Sequence, residues 1–212
     1  MRDISGVILA GGEGRRLGRP KDRLEIRGVN VVEHLVRSLN PLFEEVLIVR
    51  SGDLRDDRRW EELGARTVRD LLSMRGAMVG LYTGLREMRT PYGFFIGGDM
   101  PFPNCGLVRY MLSLHRDFEA VVPRRGEYLE PLFAIYAKDL LPFVERLILR
   151  GERRISKILE GARAVRFVEE EEIRAFDPEF LSFFNINTPR DLEQAERIAG
   201  RFFGGEGDDK RR

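Results

Sequence analysis

Residues 6–21 read GVILAGGEGRRLGRPK, an apolar run that breaks into glycine and then into cations. The first five residues predict a strand, Gly6 to Ala10. After it come four glycines, three arginines and one lysine, with Glu13 the only acid among them. The whole chain carries 36 basic and 35 acidic residues, a formal charge of +1. No global field draws it to nucleic acid or a membrane surface, so an anion site here has to be local.

Two familiar phosphate loops fit this stretch poorly. A Walker loop needs glycine, lysine and a hydroxyl in succession, whereas Lys21 follows Pro20 and precedes Asp22. The dinucleotide fingerprint comes closer through Gly12 and Gly14, but Leu17 holds its third glycine position. Gly11, Gly12 and Gly14 still let the backbone approach a polyphosphate, with Arg15, Arg16 and Lys21 supplying charge. Lysine occurs only four times (Lys21, Lys138, Lys157, Lys210). Its use in this loop favours a point-charge phosphate contact over a solvated turn with exposed cations.

Outward from the loop, short β-branched runs alternate with amphipathic ones. Further strands are predicted at Glu45 to Val49, Ala65 to Val68, Gly93 to Gly97, Ala120 to Pro123, Pro131 to Ala137 and Ala164 to Val168. Helices are predicted at Val31 to Leu39, Met78 to Met88, Gly106 to His115, Leu140 to Arg150, Ile155 to Glu160 and Pro189 to Arg201, the last started by Thr188 and Pro189. This alternation predicts an α/β fold, a single-domain, three-layer, doubly wound, mostly parallel sheet over residues 1–203. The tail, 204–212, offers nothing apolar to bury and is expected to be disordered.

In such a sheet ligands bind beyond the carboxyl ends of the strands. Asp99, in FFIGGDMPFP (Phe94–Pro103), stands at one such end. A carboxylate there suits Mg²⁺ bridging nucleotide phosphates, and the prolines after it argue against the alternative of a helix cap. Asp70 is a second candidate by the same placement, with a turn role as its rival. His34 and His115 lie on separate helices without ligand-spaced partners, and no nucleophilic triad is present. Cys105 is the single cysteine, which excludes an internal disulfide and a cysteine-rich zinc site. With no signal-like or membrane-length apolar run, a soluble cytoplasmic protein is expected.

With these residues in view, the chain resembles the molybdenum cofactor guanylyltransferases, within the α/β nucleotidyltransferases. The resemblance rests on LAGGEGRRLGRPK (Leu9–Lys21), RDLLSMRGAMVGLYTGL (Arg69–Leu85), GGDMPF (Gly97–Phe102), GEYLEPLFAIY (Gly126–Tyr136), GERRISKIL (Gly151–Leu159) and FFNINTPRDL (Phe183–Leu192), in the family order. It implies a Rossmann-like fold of the nucleotide-diphospho-sugar transferase type. It further implies that Leu9, Ala10, Gly11 and Gly12 meet the nucleotide, Arg16 and Lys21 its phosphates, and Asp70 its nucleoside portion. Asp99 would hold Mg²⁺, and Asn185 and Asn187 would lie near the acceptor; Arg16, Lys21 and Asp99 are the implied catalytic set. GTP and molybdopterin are the implied substrates, joined with release of pyrophosphate. Ala77 stands where the family usually has proline, and Val49 or Ser51 near an expected asparagine. Open alternatives are another NTP, a sugar or polyol phosphate acceptor, and a non-catalytic nucleotide-binding protein.

Overall fold

Strand β1 (Ile4–Leu9) is buried along its whole length, and its side chains divide by parity. Ile4 and Ile8 enter one hydrophobic cluster, Val7 and Leu9 another. The same parity runs through β4 (Glu45–Arg50), where Val46 and Ile48 face the first cluster and Leu47 and Val49 the second. A strand that is apolar on both faces belongs inside a sheet covered on both sides.

The computed structural model describes residues 3–11, 17–18, 20–51, 58–72 and 76–201. In chain order the remaining elements are β2 (Glu25–Ile26), β3 (Val29–Asn30), α1 (Val31–Leu39), α2 (Arg58–Glu61), β5 (Ala65–Arg69), α3 (Ala77–Glu87), β6 (Tyr92–Gly97) and α4 (Cys105–Leu114). They continue with β7 (Ala120–Arg125), β8 (Tyr128–Leu129), β9 (Phe133–Ala137), α5 (Leu141–Leu149), β10 (Val165–Val168), α6 (Glu170–Arg174) and α7 (Pro189–Ile198). The sheet order is β10-β7-β9-β6-β1-β4-β5, with β8 hairpinned onto β7 and β2 paired with β3. Only β9 runs antiparallel within the main path, against β6 and β7.

Helices α1, α4, α6 and α7 bury residues in the first cluster, among them Leu35, Leu107, Ile173 and Ala195. On the opposite face α3 and α5 bury Leu81, Leu85, Val144 and Leu147. This is the expected three-layer α/β arrangement with a mostly parallel sheet.

Glycine allows α3 to sit close on the sheet. A Cβ on Gly84 would lie 2.6 Å from a Phe95 ring carbon and 2.7 Å from Val7 Cγ1, and one on Gly80 3.3 Å from Leu9. That answers the objection raised by Leu17. The close helix-to-strand packing that a dinucleotide fingerprint obtains from its third glycine is made here by α3, while Leu17 packs partly buried against the first cluster.

Three expectations need correction. The 155–160 segment is not an α-helix but a 3₁₀ run, Ile155–Gly161, closed by short-range bonds such as Lys157 N–H to the Arg154 carbonyl (3.1 Å). It is short, and Ile155 and Ile158 dock it on the second cluster without needing an α turn. Phe183–Ile186, which the apolar run FFNI makes strand-like, forms no strand; it meets the sheet through the Ile186 N–H donated to the Asp99 carbonyl at 2.9 Å and the Phe183 ring edge-on to Phe133 of β9 at 5.2 Å. The last helix stops at Ile198 and closes with a 3₁₀ turn, Ala199–Arg201. The tail 204–212 lies outside the described residues.

Candidate active site

The chain goes from β1 to β4 and β5 on one side, then crosses to β6 on the other side of β1. The crevice between β1 and β6 is therefore the topological switch point, where this class of sheet binds ligands. Backbone bonds continue past the strand ends there. Ala10 N–H donates to the Val49 carbonyl (2.8 Å), Gly98 N–H to the Leu9 carbonyl (2.9 Å), and Asp70 N–H to the Arg50 carbonyl (2.9 Å). These three bonds fix the first residues beyond β1, β6 and β5 at one edge.

Gly98 suits this close approach. A Cβ there would stand 3.0 Å from Ala10 Cα and 3.1 Å from the Leu9 carbonyl oxygen, both backbone atoms that would have to shift by a few tenths of an ångström. The tight approach delivers Asp99 into the crevice, 3% exposed as a residue. Its carboxylate pairs with the Lys21 ammonium, which arrives from the far end of the opening loop. Asp99 does not cap the next helix, since Asn104 does so, accepting from the N–H groups of Gly106 and Leu107.

Asp70 lies on the other side of β1. A Cβ on Gly11 would stand 3.4 Å from Asp70 Oδ2, 3.5 Å from Ser51 N and 3.6 Å from Ser51 Oγ, so the three residues surround one small space. Burial pushes the Asp70 carboxyl above its ordinary range, against a hydrogen bond from Thr83 that works the other way. Among the described residues Asp70 Oδ1 is buried without a hydrogen-bond partner. A buried, unsatisfied acceptor is costly unless a ligand donates to it.

The loop after β6 is tied to the C-terminal segment through the Ile186–Asp99 backbone bond. Asn185, half-buried, donates its amide to the Phe183 carbonyl at 2.9 Å and so shapes its own loop. Asn187 is exposed. Thr188 caps α7, and the Asp191 carboxylate accepts from both the Asn187 and Thr188 N–H groups.

The descriptive model for the MobA-like NTP transferase domain matches residues 6–167. The chain belongs to the MobA-like NTP transferase family. This family member is a nucleotidyltransferase. It is 33% identical over 205 residues to the molybdenum cofactor guanylyltransferase of Desulfosudis oleivorans, covering 95% of this chain and 99% of that protein. It is similar in structure to molybdopterin-guanine dinucleotide biosynthesis protein A from Archaeoglobus fulgidus, at TM-score 0.80 and 30% identity over 93% of this chain and 99% of the other. The 4-diphosphocytidyl-2C-methyl-D-erythritol synthase of Anaerococcus prevotii shares the fold, at TM-score 0.72 and 17% identity over 94% of this chain and 97% of that one.

Of the residues singled out from this transferase's sequence, Lys21 and Asp99 meet directly, and Leu9, Ala10 and Gly11 form the floor between Asp99 and Asp70. Gly12 and Arg16 lie outside the described residues. Ser51, which stands near an expected asparagine in the sequence, faces Gly11. Arg50, marked in the sequence only by its place at a strand end, is a buried arginine at the end of β4 that binds the Asp22 carboxylate at 2.6 Å. Among the described residues no helix is long and apolar enough to cross a membrane.

Proposed function

We propose that this transferase moves GMP from GTP onto the terminal phosphate of molybdopterin and releases pyrophosphate. The observation that carries the reading is the convergence of Lys21 and Asp99 at the β1–β6 switch point. An acceptor phosphate is already an anionic nucleophile. One of its oxygens attacks the α-phosphorus, the bond to the β-phosphate bridging oxygen breaks, and pyrophosphate carries that electron pair away. No general base is required, which agrees with a crevice built from a lysine, carboxylates and backbone.

Lys21 neutralises charge on the departing pyrophosphate, with Arg16 as its partner. Leu9, Ala10 and Gly11 present backbone to the nucleotide, and Asp70 accepts a hydrogen bond from its nucleoside portion. The Asn185–Asn187 loop, tied to the Asp99 carbonyl, borders the acceptor.

Asp99 suits Mg²⁺, because it offers hard oxygen donors from one buried carboxylate, and Mg²⁺ completes its shell with phosphate oxygens and water. Among the described residues no group of three or more His, Cys, Asp or Glu forms an all-protein cage, the arrangement expected where the nucleotide brings the remaining ligands. When bound, the ion supplies charge neutralisation at the phosphates. A nucleoside triphosphate as substrate supports work in the cytoplasm.

A thermal-shift panel with each NTP, with and without Mg²⁺ and molybdopterin, tests the substrate assignment. A Mg²⁺-dependent rise specific to GTP supports it; an equal or larger rise with CTP, or a response only to a sugar phosphate, redirects it to a related transferase.

A further inference from the structure

We propose that Asp22 and Arg50 form a brace that positions Lys21, making both positioning residues for nucleotidyl transfer. The inference rests on the role given to Lys21 above. Lys21 begins a single 3₁₀ turn, Lys21–Arg23, entered from Pro20 and lacking a side-chain cap. Three residues of 3₁₀ helix cannot hold themselves. The turn is held from outside by its middle residue, Asp22, which is 7% exposed.

The Asp22 carboxylate receives the Arg50 guanidinium at 2.6 Å. Its backbone carbonyl accepts from the Asn30 amide (2.9 Å) and Arg59 (3.4 Å). Arg50 lies over the Trp60 ring, 5.3 Å from its centroid, and Arg59 over the same ring at 4.9 Å. Trp60 is itself 1% exposed. The anchors therefore come from the end of β4 and from α2, which bury Val46, Ile48 and Trp60 in the first core cluster, and from Asn30, which caps α1. At about three residues per turn, successive side chains diverge by roughly 120°. Drawing Asp22 inward to Arg50 sends Lys21 another way, onto Asp99.

Charge gives the brace a second effect. An unpaired carboxylate one residue from Lys21 competes with Asp99 for the ammonium and repels a polyphosphate. Paired with Arg50, it is neutralised and turned away. Arginine suits this place because its planar group can stack on Trp60 and bind the carboxylate together.

The test is a mutant cycle on GTP-dependent pyrophosphate release with molybdopterin, comparing wild type, Lys21→Ala, Asp22→Asn and Asp22→Asn with Lys21→Ala. We expect Asp22→Asn to lower kcat by at least about tenfold in the wild-type background, as a misplaced catalytic group does. We expect it to have no further effect once Lys21 is alanine. A general loss of structure lowers both backgrounds alike, so equal losses overturn the inference, as does full activity of Asp22→Asn. Should Asp22→Asn leave Arg50 unpaired and the chain unfolded, Asp22→Asn with Arg50→Gln replaces both charges by amides and enters the cycle under the same criterion. If Lys21→Ala keeps wild-type turnover, the reading of Lys21 fails and this inference with it. If Lys21→Ala is impaired and Asp22→Asn silent, only the brace fails.

Discussion

Lys21 and Asp99, 78 positions apart in the chain, form an ion pair at the carboxyl ends of β1 and β6, with the Asp99 side chain 4% exposed and that of Lys21 27%. One comes from a cation-rich loop and the other from a strand end that a glycine holds against β1. The pair joins the two halves of the proposed polyphosphate cradle.

Lys21→Ala and Asp99→Ala should each lower turnover by at least about a hundredfold, the scale seen when one preorganised charge is removed from a reacting centre. Circular dichroism and melting temperature establish that the fold is intact. Near wild-type product formation by either folded variant contradicts the assignment.

Gly11→Ala should fold normally and bind nucleotide poorly. Its Cβ meets Asp70 and Ser51 only at 3.4–3.6 Å, ordinary van der Waals contact, so the free protein accepts it. The methyl fills the space in which the proposed nucleotide site brings its ligand against the backbone. Calorimetry should show a weaker Kd for Mg-GTP at an unchanged Tm; unchanged affinity removes Gly11 from the cradle.

Gly98→Ala should behave in the opposite way. Its Cβ strikes Ala10 Cα and the Leu9 carbonyl at 3.0–3.1 Å, and separating these backbones strains the β1–β6 junction. A loss of about 1–3 kcal/mol in urea unfolding is expected, as for overpacked cores. Wild-type stability contradicts the close approach.

His34 should make the protein acid-sensitive. Burial lowers its pKa from 6.5 to about 4. Between those values the unfolded chain holds the proton and the folded chain does not, so stability is full above about pH 6.5 and falls as pH drops toward 4. At about 1.4 kcal/mol per pKa unit the loss reaches at most about 3 kcal/mol. Urea unfolding from about pH 7.5 to about pH 4.5 should show a steeper decline for wild type than for His34→Gln. Equal slopes contradict it.

Much of this was legible in the sequence because its causes are local. β1 and β6 announce themselves by runs of β-branched and aromatic residues, α1 by helical spacing, and α7 by Thr188, Pro189 and Asp191, which form its cap. Asp99 could be singled out from its place after a buried strand. The two-residue strands β2, β3 and β8 and the four-residue α2 are too short to show a period. α6 carried a signal that went unread: Glu169 and Glu172 form a reciprocal cap, written in glutamate where serine or threonine is usual. The Asp22–Arg50 pair left no trace, because neither residue has a pattern until β4 and the opening loop are brought together. Phe183–Ile186 reads as strand-like because its run is largely apolar, yet it reaches the sheet through the Ile186 N–H on Asp99 and the Phe183 ring on Phe133 of β9.

The most direct measurement is product analysis by mass spectrometry, with pyrophosphate counted alongside, after incubating the purified protein with molybdopterin, Mg²⁺ and GTP, and in parallel with ATP, CTP and UTP. Molybdopterin guanine dinucleotide and one equivalent of pyrophosphate are expected from GTP, with little product from the other nucleotides and none from Lys21→Ala or Asp99→Ala within the same time. Preferred transfer from CTP, or nucleotide bound with no product on this acceptor, would contradict the proposed reaction.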